Sequence, residues 1–251
     1  MRGAVLKRVS KYIEDKLSSE GTLHFSLIDP DKVGSTEELR SLCRELIRAG
    51  TDAFLVGGSL GVSEYLVDEV VKAIKELGPP VILFPGNVTG ISRYADAILF
   101  MMLMNSDDPY FLVGAQVIAA PIVAKYGLEA LPTAYIIVGY GGAAGFIGRA
   151  RPLPLDKPEI VAAYVLAAEM LGMKYTYLEA GSGAPNPIPP EVIKYVTKVK
   201  RNSITIVGGG IRDPSKAKEI ARAGADIIVT GTIIERNPQK AIEIIQAIKR
   251  R

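Results

Sequence analysis

Acidic residues follow apolar runs of strand length at two points of this sequence. Glu179 closes a run at 175–178, and Asp29 comes directly after the run Leu23–Ile28. A carboxylate at the end of a buried strand is costly unless it is paired or used, so Glu179 is a candidate general base or a partner for substrate hydroxyls. A buried ion pair with lysine or arginine would also explain Glu179. Strand alternation predicts that Tyr177 and Glu179 point to the same side, toward the interior of the fold.

Glycine turns follow the last three apolar runs. Gly181 and Gly183 come after Glu179, and the next two runs end in Gly208-Gly209 and in Gly231-Thr232. Glycine at a strand end lets main-chain N–H groups approach a ligand, and the following helix presents its positive N-terminus there. Two such turns in succession near the end of a chain are typical of the phosphate site of an eight-stranded barrel.

The residues that follow the first two predicted strands are candidates for a metal site. The Asp29 carboxylate could hold Mg²⁺, which prefers hard oxygen ligands shared with substrate phosphates, and the Ser59 hydroxyl after strand two could reach the same ion. Asp-Pro-Asp is also ordinary turn material, and Ser59 could simply cap the following helix.

Strand-like runs and helical patterns alternate along the whole chain, which favours a parallel sheet closed into a (β/α)8 TIM barrel. We expect one domain over residues 1–251, a leading helix before the first strand, and an irregular segment at 85–94 in place of the third helix. A doubly wound open sheet is the alternative. It would place a glycine fingerprint after strand one, where this chain has Asp29-Pro30-Asp31-Lys32.

Composition narrows the class of protein. The chain has 251 residues, of which 48% are hydrophobic and 23% charged, as in a globular protein. Its net charge of +3 is too weak and too scattered to indicate nucleic-acid binding. No apolar run reaches the roughly 18–20 residues of a membrane span. The single Cys43 excludes an internal disulfide and suits a reducing cytoplasm, where we expect the protein to act.

Two apolar or small-residue segments are candidates for binding an alkyl chain. The strand at 97–104 contains Met101, Met102 and Met104, whose flexible side chains suit an alkyl ligand but also fill gaps in a core. The segment 140–148 is too rich in glycine to predict a stable helix. It could be a mobile lid, a floor for a long apolar ligand, or an ordinary loop.

With these residues in hand, the chain resembles the geranylgeranylglyceryl phosphate synthases, which make the first ether bond of archaeal lipids, and the related bacterial heptaprenylglyceryl phosphate synthases. The resemblance covers nearly the whole chain. Its most specific motifs are the segment 24–32, Gly57-Gly58-Ser59, Pro85-Gly86-Asn87, and the segment 177–183.

The resemblance implies a barrel that binds sn-glycerol 1-phosphate and geranylgeranyl diphosphate with Mg²⁺. Asp29 and Ser59 match the metal-binding positions. Thr232 stands where the family often has asparagine, and its hydroxyl can still donate to phosphate. The resemblance further implies a homo-oligomer, and the long-chain product suggests a contact with the membrane surface for release. The positions that match glycerol-phosphate contacts are Tyr177, Leu178, Glu179, Ala180, Gly181, Ser182, Gly183, Gly208, Gly209, Gly231 and Thr232.

The expected chemistry is attack of the free glycerol-phosphate hydroxyl on C1 of the prenyl diphosphate, with Glu179 positioning the hydroxyl and accepting its proton. Three alternatives stay open at this point. The same reaction could use another prenyl chain length, the barrel could be an isomerase or synthase of sugar phosphates, or it could bind a phosphorylated ligand without catalysis.

Overall fold

A closed barrel of eight parallel strands in sequence order forms the centre of the protein. The computed structural model describes residues 8–58 and 63–249. The strands are β1 (Leu23–Ile28), β2 (Ala53–Val56), β3 (Val81–Leu83), β4 (Ala97–Leu103), β5 (Glu129–Ile137), β6 (Tyr175–Glu179), β7 (Ile204–Gly208) and β8 (Ile227–Thr230). The predicted (β/α)8 barrel is therefore confirmed.

Helices surround the barrel and precede it. Their bounds are α1 (Val9–Glu20), α2 (Thr36–Ala49), α3 (Glu64–Lys75), α4 (Ala115–Tyr126), α5 (Gly142–Ile147), α6 (Pro158–Met170), α7 (Pro190–Val199), α8 (Pro214–Arg222), α9 (Thr232–Arg236) and α10 (Pro238–Lys249). Helix α1 is the predicted leading helix. Between β3 and β4 the described chain has a single 3-10 turn, Val88–Gly90, where an irregular segment was predicted in place of a helix.

Elements on β5 and after β8 differ from the sequence-based expectation. β5 runs from Glu129 to Ile137, whereas the strand predicted from the sequence ran from Tyr135 to Val138. The observed strand contains Pro132, and proline is ordinarily unfavourable inside a strand. The long β4 overrides that signal: it pairs with β5 from Ala97–Glu129 through to Leu103–Tyr135. The short helix α9 directly after β8 was not predicted either.

Alternation along the strands separates two cores. Inward residues such as Phe25, Leu99 and Tyr177 fill the barrel, while outward residues such as Val56 and Leu178 pack beneath the helices. Helix α1 contributes Val9 and Ile13 to the interior core. Since the functional residues of such barrels lie at the carboxyl ends of the strands, this packing leaves that end available for a site.

His24 and Asp52 belong to a polar group between α1, α10 and the starts of β1 and β2. The His24 ring nitrogens lie 2.8 Å from the Thr51 hydroxyl and 2.9 Å from the Thr230 hydroxyl, and burial lowers the pKa of His24 to about 3. The buried Asp52 carboxylate lies 2.7 Å from Lys16 Nζ and 2.6 Å from Lys249 Nζ. His24 is thus a neutral structural residue, and Asp52 joins the first described helix to the last.

Among the described residues, no helix is both long and apolar enough to cross a bilayer.

We predict that Asp52→Asn lowers the free energy of unfolding by about 2 kcal/mol, because Lys16 and Lys249 lose the buried one of the two carboxylates that they share and keep only the more exposed Glu20. The matched control is Asp15→Asn, which breaks an exposed pair with Lys11 and should leave stability nearly unchanged. Guanidinium unfolding of the three proteins measures both effects. Equal stability of Asp52→Asn and wild type would contradict the structural role of Asp52.

Candidate active site

A large cavity opens at the carboxyl ends of the strands and brings together residues from most of them. Asp29, Tyr177, Glu179 and Thr232 all line it, so residues far apart in sequence share one site. Ser59 lies outside the described residues. The cavity has a polar side at β6, β7 and β8 and an apolar side at β3 and β4.

Glu179 ends β6 with its side chain inside the barrel, on the same side as Tyr177, as alternation predicted. It is only 6% exposed. Burial raises the pKa of Glu179 to about 7, although the Gly181 N–H, which donates to Oε1 at 2.6 Å, acts in the opposite direction together with the phenols of Tyr177 and Tyr135. None of the described lysine or arginine residues pairs with it, so a buried ion pair does not explain this carboxylate. A carboxyl group with a pKa near neutrality suits a general base.

Three aromatic rings form the floor beneath Glu179. Phe84 and Tyr177 stack with ring centroids 5.2 Å apart and planes inclined by 6°. Tyr135 meets both rings edge-on, at 5.7 Å from Phe84 and 5.3 Å from Tyr177. These contacts hold the two phenols in fixed positions below the carboxylate.

The glycines after β7 make room for this arrangement. A Cβ atom on Gly208 would lie 2.3 Å from the Tyr177 hydroxyl, and one on Gly209 would lie 2.4 Å from Glu179 Oε1. Gly209 also has φ +84°, which favours glycine. These glycines were predicted to let a ligand approach the main chain, and in the structure the positions of Tyr177 and Glu179 also require them.

The polar side of the cavity presents main-chain N–H groups. Those of Gly209, Gly210 and Thr232 donate to no acceptor in the part of the chain that the structure describes. The Ser182 and Thr232 hydroxyls lie 3.2 Å apart and link the turns after β6 and β8. Arg212 lines the same side and donates to the Ala184 carbonyl at 2.8 Å. Unpaired N–H groups beside a cation are suited to an anion such as phosphate.

The remaining predicted contacts differ in placement. Gly183 and Gly231 line the cavity. Leu178 and Ala180 are buried in the outer core, so any contact with a ligand would come from their backbone. Gly181 packs its backbone against Gly141–Gly142, where a Cβ atom would lie 2.5 Å from the Gly141 carbonyl carbon.

Asp29 lies at the rim of the cavity with Glu235 beside it. The Asp29 Oδ1 accepts a hydrogen bond from the Asp31 N–H at 3.1 Å and so caps the 3-10 turn Pro30–Lys32. The Asp-Pro-Asp motif therefore forms a turn, which was one of its two predicted roles. Burial raises the pKa of Glu235, and the neighbouring charge of Asp29 raises it further. Two carboxylates at the mouth are hard oxygen donors that fit Mg²⁺. No group of three or more potential metal-ligating side chains occurs among the described residues, so such an ion would need oxygens from substrate or water.

The apolar side of the cavity passes through the barrel wall between β3 and β4. Only Ile82 and Leu83 of β3 pair with β4, at Ala97 and Ile98, so the upper part of β4 pairs with β5 on one side and has no partner from β3 on the other. In that gap the cavity is lined by Val88 and Ile91 of the irregular segment and reaches outer-core residues such as Ala119 of α4. The missing helix therefore opens an apolar groove. Of the three methionines singled out in the sequence, Met101 is the one that lines the cavity among the described residues. The other apolar residues along the groove include Phe84, Ile98, Phe100 and Phe111.

Residues Gly142–Ile147 of the segment 140–148 form helix α5, so the expectation that the segment is too rich in glycine for a helix was wrong. Hydrogen bonds join this region to residues 105 and 106. The Ser106 hydroxyl donates to the Gly148 carbonyl at 2.6 Å, and the Arg151 N–H donates to the Asn105 carbonyl at 2.7 Å. Tertiary hydrogen bonds thus fix a sequence whose own helix propensity is low. Ala144, Ile147 and Gly148 line the cavity.

A family model described as the PcrB family matches residues 14–249. The chain belongs to the PcrB family. The geranylgeranylglyceryl phosphate synthase of Staphylothermus marinus is 54% identical over 243 residues, which cover 97% of this chain and 99% of that protein. The synthase of Sulfolobus acidocaldarius is 52% identical over 242 residues, which cover 96% and 94%.

Solved structures of PcrB-family relatives superimpose closely. The (S)-3-O-geranylgeranylglyceryl phosphate synthase of Thermoplasma acidophilum, in complex with its substrate sn-glycerol-1-phosphate, has a TM-score of 0.91 at 38% identity and covers 97% of this chain and 99% of its own. The Thermoplasma volcanium enzyme has a TM-score of 0.90 at 44% identity, covering 97% and 98%. Tryptophan synthase α subunit from Legionella pneumophila, at 15% identity, covers 98% of each chain with a TM-score of 0.62 and shares the fold alone. The resemblance read from the motifs is confirmed.

Sequence reasoning missed several residues of the site. Phe84 and Tyr135 were placed on strands, but nothing predicted that their rings would meet around Tyr177. Glu235 lies on the unpredicted helix α9. Alternation along β5 could have shown that Tyr135 faces inward, since it pairs with Tyr177 on β6.

We predict that Glu179 makes stability depend on pH. Its pKa of about 7 in the folded protein lies above the ordinary value of 4.5, so the folded state holds this proton more tightly than the unfolded state. The contribution is fully present below pH 4.5 and is lost as pH rises through about 7. Relative to Glu179→Gln, the wild-type free energy of unfolding should therefore fall by about 3 kcal/mol between pH 4 and pH 8. Guanidinium unfolding at both pH values measures the difference, and a constant difference would show that the carboxyl titrates normally.

Proposed function

We propose that this protein transfers a geranylgeranyl group from geranylgeranyl diphosphate to the free primary hydroxyl of sn-glycerol 1-phosphate and releases diphosphate. The observation that carries the proposal is the position of one buried carboxylate, Glu179, between unpaired main-chain N–H groups and an apolar groove within one cavity. An enzyme of sugar-phosphate metabolism, or a protein that only binds a phosphorylated ligand, would not need this apolar groove. The substrates and names of the PcrB-family relatives support the same reading.

The turns after β6, β7 and β8 bind the phosphate of glycerol phosphate through N–H groups and through the hydroxyls of Ser182 and Thr232. This anchor places the free hydroxyl near Glu179, so the reaction gains from proximity and orientation. The Glu179 carboxylate accepts the hydroxyl proton while the oxygen bonds to C1 of the prenyl group. The bond from C1 to the diphosphate oxygen breaks, and diphosphate leaves with the electron pair.

The prenyl chain lies in the apolar groove between β3 and β4. Asp29 would hold Mg²⁺ together with Ser59, which lies outside the described residues. Glu235 lies close enough to Asp29 to share in this role. A bound Mg²⁺ supplies charge neutralisation for the leaving diphosphate. Because both sites open into the cavity that Glu179 lines, the two substrates meet at its carboxylate.

Three further expectations belong to this proposal. We expect the protein to act in the cytoplasm, to assemble with copies of itself, and to contact the membrane surface when its long-chain product leaves. Exposed apolar residues support an external contact near the cavity: Phe146 is 87% exposed and Tyr140 62% exposed, beside α5 residues that line the cavity.

We predict that Glu179→Gln lowers kcat by ~10²–10⁴-fold while sn-glycerol 1-phosphate still binds, because the amide keeps the shape but cannot take a proton. Ether product from labelled prenyl diphosphates of different lengths gives kcat, and calorimetry gives the dissociation constant of glycerol phosphate. Near-normal turnover would remove Glu179 from the role of base. Wild-type protein that binds glycerol phosphate but forms product from no prenyl donor would overturn the proposed transfer altogether.

We predict that Asp29→Asn weakens Mg²⁺-dependent binding of diphosphate by at least ~10-fold, because a charged oxygen ligand is lost. The control is Asp31→Asn, which removes an exposed carboxylate of the same turn and should leave binding unchanged. Calorimetric titration with inorganic diphosphate, with and without Mg²⁺, separates the metal-dependent part. If the Asp29 variant keeps the wild-type dependence on Mg²⁺, another group holds the ion.

A further inference from the structure

The turn after β6 donates a hydrogen bond to the Glu179 carboxylate. The Gly181 N–H donates to Oε1 at 2.6 Å, and the Gly181 carbonyl accepts a hydrogen bond from the Ala184 N–H at 3.0 Å. A buried carboxylate keeps its charge through donors of this kind. The position of the turn at 181–184 therefore bears directly on the charge of Glu179.

The start of α5 packs against this turn, main chain against main chain. The Gly141 N–H donates to the Ala180 carbonyl at 2.8 Å. A Cβ atom on Gly181 would lie 2.6 Å from the Gly142 nitrogen, and a Cβ atom on Gly142 would lie 2.8 Å from the Ser182 carbonyl oxygen. Neither position has room for a side chain, so residues 141–142 and 181–182 are in close contact.

A hydrogen bond at its far end also holds α5 in place. The Ser106 hydroxyl donates to the Gly148 carbonyl at 2.6 Å. A Cβ atom on Gly142 would meet only main-chain atoms of Gly181 and Ser182, which cannot rotate away as a flexible side chain can. An added side chain at position 142 must therefore displace the backbone of the turn or of the helix.

We propose that Gly142 is a positioning residue for the transfer reaction: because it has no side chain, α5 packs closely enough to hold the Gly181 N–H on the Glu179 carboxylate. The inference rests on the proposed function, in which Glu179 is the base. Gly142 takes no part in the proton transfer, since the substrate proton goes to Glu179. Displacement of the turn weakens a hydrogen bond that favours the ionised carboxyl, so Glu179 then keeps its proton up to higher pH.

The other groups that face Glu179 stay unchanged when position 142 is substituted. Burial raises the pKa of Glu179 to about 7, and the phenols of Tyr177 on β6 and Tyr135 on β5 act against this. A substitution at position 142 removes none of these groups, so a changed titration of Glu179 reports the position of the turn. The same holds for the other charged side chains that line the cavity among the described residues, which are Asp29, Arg212 and Glu235.

Gly127, directly after α4, offers a matched control. Its φ of +67° is close to the +56° of Gly142, so alanine meets similar backbone strain at both positions. Apart from its chain neighbours, a Cβ atom on Gly127 would meet no heavy atom of the described residues within 4 Å. A difference between Gly142→Ala and Gly127→Ala therefore comes from the contact with the turn and not from the backbone conformation.

The first test follows the titration of Glu179 without turnover. In protein with ¹³C-labelled glutamate carboxyl groups, the Glu179 signal is identified by its absence from Glu179→Gln. Its titration midpoint should rise by about one pH unit in Gly142→Ala and stay constant in Gly127→Ala. An unmoved midpoint in Gly142→Ala would overturn the inference even if Glu179 is the base.

The second test is the pH profile of kcat/KM for sn-glycerol 1-phosphate. Because Ser182 is displaced as well, Gly142→Ala should lose activity at every pH. The loss should be ~10-fold larger at pH 6 than at pH 9, where the base is ionised in both proteins. Gly127→Ala should keep the wild-type profile. An equal loss at every pH would contradict the role of Gly142 in holding the base, whereas full turnover by Glu179→Gln would contradict the base role of the proposed function.

A second substitution covers the case in which Gly142→Ala folds poorly. Ser106→Ala removes the hydrogen bond at the far end of α5 and adds no atom near the turn. The helix is then held less firmly against Gly181, so the midpoint of Glu179 should rise by about half a pH unit. A midpoint equal to that of the wild type would show that α5 does not hold the Gly181 N–H in place.

Discussion

The carboxylate of Glu179 is buried inside the barrel with no basic side chain of the described residues paired to it, and much of the site follows from this constraint. Taking a charge out of water is costly, so burial raises its pKa to about 7. Donors that remain neutral limit the cost: one main-chain N–H and two phenols. A lysine partner would have stabilised the charge more strongly but would also have lowered the basicity that proton transfer requires.

The surrounding residues are arranged so that these donors reach the carboxylate. Tyr177 needs the space above Gly208, and Glu179 Oε1 needs the space that a side chain at position 209 would fill. Phe84 and Tyr135 hold the ring of Tyr177 by stacking and edge contacts. Glycines that belong to a phosphate site thus also serve the base, which joins the two halves of the chemistry on adjacent strands.

The second consequence of the fold is the apolar groove. In a regular barrel a helix would cover the gap between β3 and β4. Here a 3-10 turn at Val88–Gly90 follows the three-residue β3, and the cavity extends through the wall to α4. The sequence predicted the irregular segment at 85–94, but only the tertiary structure places Ile91 of this segment and Ala119 of α4 on one cavity. The groove therefore exists because a short 3-10 turn, and not a helix, connects β3 to β4.

The sequence by itself determined the order of strands and helices, the phosphate-type turns, and the inward direction of Tyr177 and Glu179, because period and glycine placement are local properties. Motifs that are contiguous along the chain also carried the resemblance to the geranylgeranylglyceryl phosphate synthases. Tertiary structure decided the features that depend on residues far apart in the sequence. Pairing with β4 extended β5 across Pro132, and hydrogen bonds from 105–106 and 151 made a helix of a glycine-rich segment. Closure of the barrel brought the ring of Tyr135 against that of Tyr177, since only the register of neighbouring strands sets which side chains meet.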